Sequence, residues 1–374
     1  MKFSVLQENL KTGLGLVGHV AGKNINLPVL NNILIEARDG KIRFTTTNLE
    51  IGISSVVRGK IEVDGVFTVD AKILTDYVSL LPNQRVDLVL DGLRLSVECD
   101  NYKTKINGQS AEDFPLIPQV ERTAMCKIRA DELRRALAQV VFAASTSDAR
   151  LELAGVLFLF NNKELVLAAT DSFRLTEKKL KNPSLSGDLA SKRFIIPIKT
   201  LQEVIRILSG GKDGEAGDEV EIYFSENQVL FVYGATELVS RLIEGNYPDY
   251  QQIIPAQNKT KAVVKVEELV RAVKASSLFS KTGINDVNLD FPKNKAKMMI
   301  SAASGQSGEN LAEVEAKISG EDNFVVLNYR YLLDGLNNLG EPSAIVMMVD
   351  GNTPCIVRPE MDDSYLYIIM PIKQ

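Results

Sequence analysis

The side chains that most often carry out chemistry are scarce and scattered in this chain. It has one histidine, His19, and three cysteines, Cys99, Cys126 and Cys355, which lie far apart and form no C-x-x-C pair. Zinc sites and histidine-based proton transfer usually need several such residues at close spacing. We interpret the cysteines as small buried side chains of a protein in a reducing compartment. This scarcity argues against catalysis.

Three short segments share letters with functional loops but not their context. Gly13-Leu-Gly15-Leu-Val-Gly18 matches a dinucleotide-binding fingerprint, yet its glycines fall inside a helical pattern and no βαβ unit follows. Residues 210–219 lack the spacing of a phosphate or calcium loop, and Ser304-Gly-Gln-Ser-Gly308 is not G-x-S-x-G. We predict no catalytic residue, metal site or cofactor. A nucleotide-dependent enzyme using Gly13–Gly18 remains the disfavoured alternative.

Length and composition indicate an ordinary globular protein. The 374 residues are 45% hydrophobic with a net charge of −5, which favours two or three folded domains over disorder. The sequence has no apolar run of about 18 residues, so we expect no membrane span. Polar residues from Gln7 onwards leave no room for a signal peptide, and we expect a cytoplasmic protein.

The positioning elements are repeated three times. Related phrases begin at Phe67, Phe194 and Phe324, which are 127 and 130 residues apart, and each predicts a strand that leads into a helix. An earlier helix also recurs in each copy, with apolar residues at helical spacing. The six helices are predicted over 7–20, 70–81, 130–144, 197–209, 266–281 and 328–340.

Between the helices lie alternating stretches typical of hairpins. Asp39-Gly40 and Asp91-Gly92 predict two of the turns. Each copy therefore contains two successive units, each made of a strand, a helix and three strands. This predicts an α+β fold in which two helices per domain pack on antiparallel sheets. Proline-containing junctions predict domains over 1–121, 122–256 and 257–374.

The charge of the predicted helices differs from that of the rest of the chain. Basic and acidic residues nearly balance in the helices, whereas the remainder is net acidic. If all six helices faced one cavity, its mildly positive lining would suit phosphate contacts that are indifferent to base sequence. An ordinary solvated helix face is the alternative interpretation.

The chain resembles the bacterial sliding clamp family, the beta subunit of DNA polymerase III, over its full length. The phrases that carry the resemblance are Leu27-Pro-Val-Leu30, Phe114-Pro, Ala169-Thr-Asp-Ser-Phe-Arg-Leu175, Tyr247-Pro-Asp-Tyr250 and Tyr367-Ile-Ile-Met-Pro371. The resemblance implies three domains of the DNA-clamp fold and a head-to-tail homodimer closed into a six-domain ring. Duplex DNA would pass through the hole without base readout. The chain would be a non-catalytic processivity factor.

The resemblance also implies a pocket for short peptides of partner proteins. Those partners would be the replicative DNA polymerase alpha subunit, the clamp loader, repair polymerases, mismatch repair proteins and DNA ligase. Carried over residue by residue, the pocket would comprise Leu153, Thr170, Ser172, Phe173, Arg174, Leu175, Pro248, Gln252, Ile253, Ile368, Ile369, Met370, Pro371 and Ile372. Ser172-Phe173 departs from a glycine–histidine pair common in the family, which predicts a different rim.

DNA-lining and interface residues follow from the same resemblance. The DNA-lining candidates are Lys23, Asn24, Lys72, Arg134, Arg135, Arg150, Lys199, Arg206, Arg271 and Lys274. Asn24 replaces a common family arginine, so Lys23 is the substitute candidate. Leu278 and Phe279 would meet Ile106 of a second copy at the dimer interface. A repeat scaffold that binds proteins but not DNA remains a further alternative.

Overall fold

The computed structural model describes residues 1–22, 27–147, 149–161, 164–210, 219–293 and 295–373, and it confirms the six predicted helices. The helices are α1 (Gln7–Val17), α2 (Ala71–Leu80), α3 (Ala130–Val141), α4 (Ile198–Gly210), α5 (Val266–Ser277) and α6 (Tyr329–Asn337). Side-chain caps begin two of them: Asp70 accepts from the backbone N–H of Ile73, and Asn328 from that of Arg330. α1 ends three residues earlier than predicted, with Gly18 as its C-cap.

The strands follow the threefold repeat. The first repeat contains β1 (Lys2–Leu6), β2 (Asn32–Arg38), β3 (Lys41–Thr47), β4 (Ile51–Val57), β5 (Gly59–Val63), β6 (Gly65–Asp70), β7 (Arg85–Asp91), β8 (Arg94–Cys99) and β9 (Tyr102–Gln109). The second contains β10 (Met125–Arg129), β11 (Gly155–Asn161), β12 (Glu164–Thr170), β13 (Arg174–Lys181), β14 (Ser184–Ser186), β15 (Arg193–Pro197), β16 (Glu219–Phe224), β17 (Gln228–Tyr233) and β18 (Thr236–Arg241). The third contains β19 (Thr260–Lys265), β20 (Asp286–Phe291), β21 (Lys297–Ser304), β22 (Gly308–Gly320), β23 (Asn323–Asn328), β24 (Ser343–Met348), β25 (Cys355–Pro359) and β26 (Tyr365–Ile369). Short 3-10 turns span Pro28–Asn31, Leu151–Leu153 and Tyr250–Ile253.

Two repeats have one strand more than the pattern predicts, because the third strand after their first helix, here called the third strand, is broken. β4 and β5 are separated only by Arg58, and β13 and β14 by Asn182 and Pro183. In the third repeat the same element is the uninterrupted 13-residue β22. Each third strand pairs first with its hairpin partner and then, further along, with the first strand of its repeat. The extra strands are therefore the far ends of long bent strands.

The chain divides into two compact units, each built on one antiparallel sheet. Unit 1 comprises Met1–Arg134, Ser184–Leu189 and Gln202–Leu242, and its 14 strands include the pairing of β4 with β18. Unit 2 comprises Arg135–Pro183, Ala190–Leu201 and Ile243–Gln374, and its 12 strands include the pairing of β13 with β26. In both units the third strand of one repeat pairs with the last strand of the next. The predicted domain boundaries fall in segments without helix or strand and remain predictions.

The helices bury their apolar stripes against the sheets. In unit 2, Leu269 and Leu336 share one core cluster with Tyr365 and Tyr367 of β26. In α1, a Cβ added to Gly13 would lie 2.3 Å from Val57 Cγ2, so that glycine permits close packing of the helix on β4. This confirms the packing interpretation of the glycine motif.

Several sequence expectations can be compared directly with the coordinates. All three cysteines are buried and free, as predicted. Burial raises the pKa of Cys126 to about 12, consistent with an inert thiol. Across the described residues, no group of three or more His, Cys, Asp or Glu side chains is placed to hold a metal ion. None of the described helices is both long and apolar enough to cross a bilayer.

Two tyrosines of β26 provide a matched test of buried polar groups. The Tyr365 hydroxyl is buried and has no hydrogen-bond partner among the described residues, whereas the Tyr367 hydroxyl donates to the Tyr331 carbonyl at 2.8 Å. Tyr365→Phe should leave stability unchanged or raise it, because it removes an unsatisfied buried group. Tyr367→Phe should cost about 1 kcal/mol. Urea unfolding midpoints measure both; a larger loss for Tyr365→Phe than for Tyr367→Phe would reverse the expected order.

Candidate functional site

The turn between β12 and β13 has a fixed shape that exposes one aromatic side chain. The Asp171 carboxylate accepts from the backbone N–H groups of Phe173 at 2.9 Å and Arg174 at 3.0 Å. The Thr170 hydroxyl accepts from the Ser172 N–H at 3.1 Å and donates to the Arg174 carbonyl at 2.6 Å. Ser172 adopts a left-handed conformation with φ of 78°. Phe173, next in the chain, is 61% exposed at the rim.

Arg174 is held between two carboxylates and two aromatic rings. Its guanidinium donates to Asp171 at 3.0 Å and to Asp334 at 2.5 Å, and its side chain is only 12% exposed. The guanidinium carbon lies 4.6 Å from the ring centroid of Tyr331 and 5.5 Å from that of Phe142. Burial alone would lower the pKa of Arg174, but the bond to Asp334 and the other partners outweigh it and raise the pKa. The cation is thus already compensated within unit 2.

The floor of the site is apolar and continuous with the core. Leu153, Leu175 and Ile368 belong to one buried cluster together with Tyr247 and Tyr250. Leu175 of β13 lies directly opposite Ile368 of β26. The structure therefore brings together predicted residues from three distant parts of the chain.

The C-terminal segment forms one side of this site. The Met370 N–H donates to the Phe173 carbonyl at 2.8 Å, and the Ile372 N–H donates to the Val326 carbonyl at 2.8 Å. Met370, Pro371 and Ile372 are half-buried, while the preceding Ile369 is fully buried. The backbone beyond β26 is therefore fixed at two points.

The segment before β19 provides further predicted residues. Pro248 is half-buried, and Gln252 and Ile253 are exposed. The Tyr250 hydroxyl anchors the segment by donating to the Glu177 carboxylate at 2.5 Å. We call the surface formed by the 170–175 turn, residues 248–253 and residues 368–372 the groove.

Several side chains around the groove were not predicted. Tyr331, Asp334 and Phe142 surround Arg174, and Glu177 holds Tyr250. Tyr331 and Asp334 lie in α6 and Phe142 directly follows α3, all far from the turn in sequence, so local pattern contained no signal for their contact with Arg174. Tyr250 lies inside the quoted phrase Tyr247-Pro-Asp-Tyr250 and could have been included.

The predicted DNA-lining residues occupy different surroundings. Lys23 and Asn24 lie outside the described residues. Lys199 and Lys274 are exposed and form no ion pair with any described residue. The others are half-buried or exposed. Lys72 is ion-paired with Asp76, Arg150 with Glu152, Arg206 with Glu203 and Arg271 with Glu267, while Arg134 is half-buried and Arg135 exposed.

Arg206 differs from its expected role. Its guanidinium donates to Glu203 at 2.8 Å, to the Gly15 carbonyl at 2.9 Å and to the Leu16 carbonyl at 2.5 Å. These bonds tie α4 to the C-terminal end of α1 within unit 1. Arg206 therefore has a structural role, and less of its charge is available to a ligand than the sequence suggested.

Ile106 also requires a correction. Strand alternation turns its side chain into the core of unit 1, where it is 6% exposed, whereas its neighbours Lys103 and Lys105 face outward. Leu278 is 74% exposed and Phe279 half-buried. Of the three predicted interface residues, Ile106 is thus the one with little side-chain surface to offer a second copy.

Comparison with known proteins covers nearly the whole chain. Family models described as the N-terminal, central and C-terminal domains of the DNA polymerase III beta subunit match residues 1–118, 127–249 and 251–373. The Bacillus subtilis beta sliding clamp is 29% identical, covering 100% of this chain and 100% of its own. The Thermotoga maritima DNA polymerase III beta subunit superposes with a TM-score of 0.92 at 26% identity, over 100% of this chain and 99% of its own. A Pseudomonas aeruginosa sliding clamp bound to griselimycin gives 0.93 at 26% identity, with full coverage of both chains.

Substitution of Arg174 and of Arg150 compares how much a buried and an exposed ion pair contribute to the free energy of unfolding. Arg174→Ala should lower the free energy of unfolding by about 2 kcal/mol, because it leaves Asp171 without its charged partner. Arg150→Ala should cost less than about 1 kcal/mol, since its ion pair is exposed. Urea unfolding of both variants checks this, and equal losses would contradict the structural weight given to Arg174.

Proposed function

Because the chain belongs to the DNA polymerase III beta subunit family, we propose that two copies close head to tail into a ring around duplex DNA and hold partner proteins in the groove. The family is that of the bacterial sliding clamp, a non-catalytic subunit that acts in DNA replication. The proposal has three parts, which are ring closure, the DNA path and the peptide site.

Unpaired strand edges support a head-to-tail joint. β4 and β13 each pair on both sides, the second side with the last strand of the following repeat. The corresponding part of β22, residues 308–315, pairs only with β21 among the described strands. Residues 102–107 of β9, the last strand of the first repeat, likewise pair only with β8 there. The same antiparallel joint between β22 of one copy and β9 of another would satisfy both edges.

The position that follows the first helix of each repeat supports the same joint. His19, Phe142 and Leu278 each lie nine residues after the leucine that opens their helical stripe. His19 contacts Glu203 of the second repeat at 2.5 Å, and Phe142 contacts Tyr367 of the third, with 5.5 Å between ring centroids. Leu278 belongs to the third repeat, and among the described residues it has no such contact with another repeat and is exposed. A second copy would supply the missing contact.

Exposed residues on the proposed facing elements are complementary. The outward face of β9 carries Lys103 and Lys105, while that of β22 carries Glu309, Glu313 and Glu315. Opposite charges on two strand edges favour their correct pairing and disfavour pairing of like edges. On α2, Leu80 is 78% exposed, whereas Ile207, its counterpart in the second repeat, is 4% exposed. An apolar helix surface is thus also available to cover Leu278.

DNA would pass through the ring beside the helices. The exposed Lys199 and Lys274, which have no ion pair with a described residue, would contact phosphates, and the ion-paired Lys72, Arg150 and Arg271 would do so through exchange of partners. Lys23 would add a further contact. Such few contacts suit sliding, because topology rather than affinity would retain the clamp on DNA.

The groove would bind extended peptides by an apolar anchor. Leu153, Leu175 and Ile368 provide the floor, and Met370 is a flexible wall that suits varied partners. Exposed Phe173 at the rim would offer an aromatic surface to the peptide. We extend the proposal to the replicative polymerase, the clamp loader, repair polymerases, mismatch repair proteins and DNA ligase, all in the cytoplasm.

Encirclement can be tested on a nicked circular duplex. The chain, loaded by a matching clamp loader, should remain on the circle through gel filtration and leave once a restriction enzyme linearises the DNA. On linear DNA with both ends blocked by bound protein it should be retained, which controls for damage by cutting. Retention on unblocked linear DNA would instead mean binding by contact and would contradict encirclement.

The dimer joint can be tested at the third repeat. Leu278→Ala combined with Phe279→Ala should weaken dimerisation by roughly 2–4 kcal/mol, because two apolar anchors are lost. Light scattering and sedimentation at nanomolar to micromolar concentration measure the dissociation constant. Met361→Ala, which truncates another exposed apolar side chain, should leave it unchanged. An unaltered constant in the double variant would exclude this joint.

The groove can be tested by shortening the chain. Removal of Met370–Gln374 should abolish binding of a fluorescent polymerase-type clamp-binding peptide, because it removes the Met370 wall and its bond to Phe173. Removal of only Lys373 and Gln374 is the matched control and should preserve binding. Anisotropy titrations give both affinities, and equal affinity for the two truncated proteins would refute the groove as the peptide site.

A further inference from the structure

Unit 1 contains a concave surface on one face of its sheet. It is a cavity of about 570 Å³ covered by residues 114–120 of the segment between the first two repeats. Its apolar lining comes from β2, β6, β17 and β18 together with the covering segment: Leu34, Val66, Leu230, Val239, Leu116 and Ile117. A volume of this size accommodates several residues of a peptide or a drug-sized molecule.

The cavity lies at the position in the first repeat that corresponds to the groove. Asn48 accepts from the N–H groups of Glu50 and Ile51 at 3.0 and 2.8 Å, as Asp171 does in the groove turn. Thr47 accepts from the Leu49 N–H at 3.0 Å and donates to the Ile51 carbonyl at 2.9 Å, as Thr170 does. Leu49 has φ of 76°, close to the 78° of Ser172. The two turns are the same local structure with different side chains.

A size difference distinguishes this cavity from the groove. Gly52 lies opposite Val239 in the β4·β18 pairing, as Leu175 lies opposite Ile368. A Cβ added to Gly52 would come within 2.7 Å of the Ile117 side chain. Thus Ile117 of the covering segment packs directly over the glycine. Where the groove has a leucine floor, unit 1 has only glycine and one isoleucine.

The covering segment has free backbone groups beside the cavity. Among the described residues, no backbone–backbone hydrogen bond involves positions 115–121. Only Pro115 and Pro118 in that stretch lack an N–H, so several donors and acceptors are available. Leu116, at the mouth, is 96% exposed. An extended peptide could pair with this backbone as an added strand while inserting apolar side chains.

The rim of the cavity is basic in an acidic chain. Arg38 is paired with Glu36 at 2.5 Å, and Arg122 with Glu237 at 2.6 Å. The fifth charged residue of the lining, Arg43, is exposed and has no ion pair with a described residue. One positive charge is therefore left uncompensated, although the whole chain carries −5. A carboxylate on the occupant would complement it.

We propose that this cavity is a second binding site, which takes a short extended peptide carrying carboxylates beside apolar side chains. The peptide backbone pairs with residues 115–121, an apolar side chain enters between Val66 and Val239, and a carboxylate meets Arg43. This site is separate from the groove, and its occupancy does not require residues 370–374.

A labelled octapeptide of alternating leucine and aspartate, with a leucine–lysine octapeptide as its counterpart, tests the proposal by fluorescence anisotropy. The acidic peptide should bind the full chain saturably, and the basic one more weakly by about tenfold or more. Arg43→Glu should weaken the acidic peptide by about tenfold or more. Lys60→Glu makes the same charge change at an exposed position outside the cavity and should have little effect. Equal binding of both peptides, or no effect of Arg43→Glu, would overturn the proposal.

The truncated protein lacking residues 370–374 separates the two sites. It should retain the acidic peptide with unchanged affinity even if it loses polymerase-type peptides. Loss of the acidic peptide on truncation would assign it to the groove and refute a second site. Thermal unfolding of Arg43→Glu should show only a small loss relative to the parent chain, because Arg43 is exposed, although it lies opposite Glu36 in the β2·β3 pairing.

Discussion

The architecture depends on one constraint on the third strand after the first helix of each repeat, which is β4, β13 or β22. Each of these strands has two hydrogen-bonding edges, and its own hairpin partner can satisfy only one of them. An unpaired strand edge is prone to wrong association when it is exposed, and its backbone groups are costly when they are buried without partners. In this chain the last strand of the next repeat satisfies that edge twice, where β4 meets β18 and β13 meets β26. The polar turns, the linkers, the groove and the cavity lie beside these two joints. Among the described strands, residues 308–315 of β22 in the third repeat and residues 102–107 of β9 in the first repeat each keep one edge without a partner.

The spacing of apolar residues and the turn residues correctly predicted the local elements of the fold, the helices and the hairpins. The six helices follow from apolar spacing, and the hairpins around Asp39-Gly40 and Asp91-Gly92 follow from turn chemistry. The broken strands β5 and β14 were missed because a strand that changes partners midway has the same alternation on both sides of the break. The choice of Ile106 as an interface residue stays a prediction, and the structure adds that strand alternation turns its side chain inward and its lysine neighbours outward.

The site was only partly predictable, since its contacts are long-range. Leu153, Leu175 and Ile368 meet as the family resemblance implied. Tyr331 and Asp334 of α6 and Phe142, which directly follows α3, also contact Arg174, and no local spacing links these three residues to the 170–175 turn. The predicted DNA contact of Arg206 is likewise untested, but sequence could not show that its guanidinium donates to two carbonyls at the end of α1. The sequence gives the charge of a side chain, whereas the groups packed around it in the fold determine which of its possible partners it binds.

The covalent linkage of the repeats has a consequence for the proposed ring. Of six equivalent joints, four are made within chains, where the ends of the joint are held at high effective concentration and no translational entropy is lost on closure. Only the two joints between copies obey mass action. Dilution would therefore open the ring solely at the β22 and β9 edges, and a protein that opens it needs to separate one short pair of strands and the Leu278 contact. Fusion of three repeats in one chain thus limits ring opening to the two joints between copies. The four joints within chains open only when the chain itself unfolds.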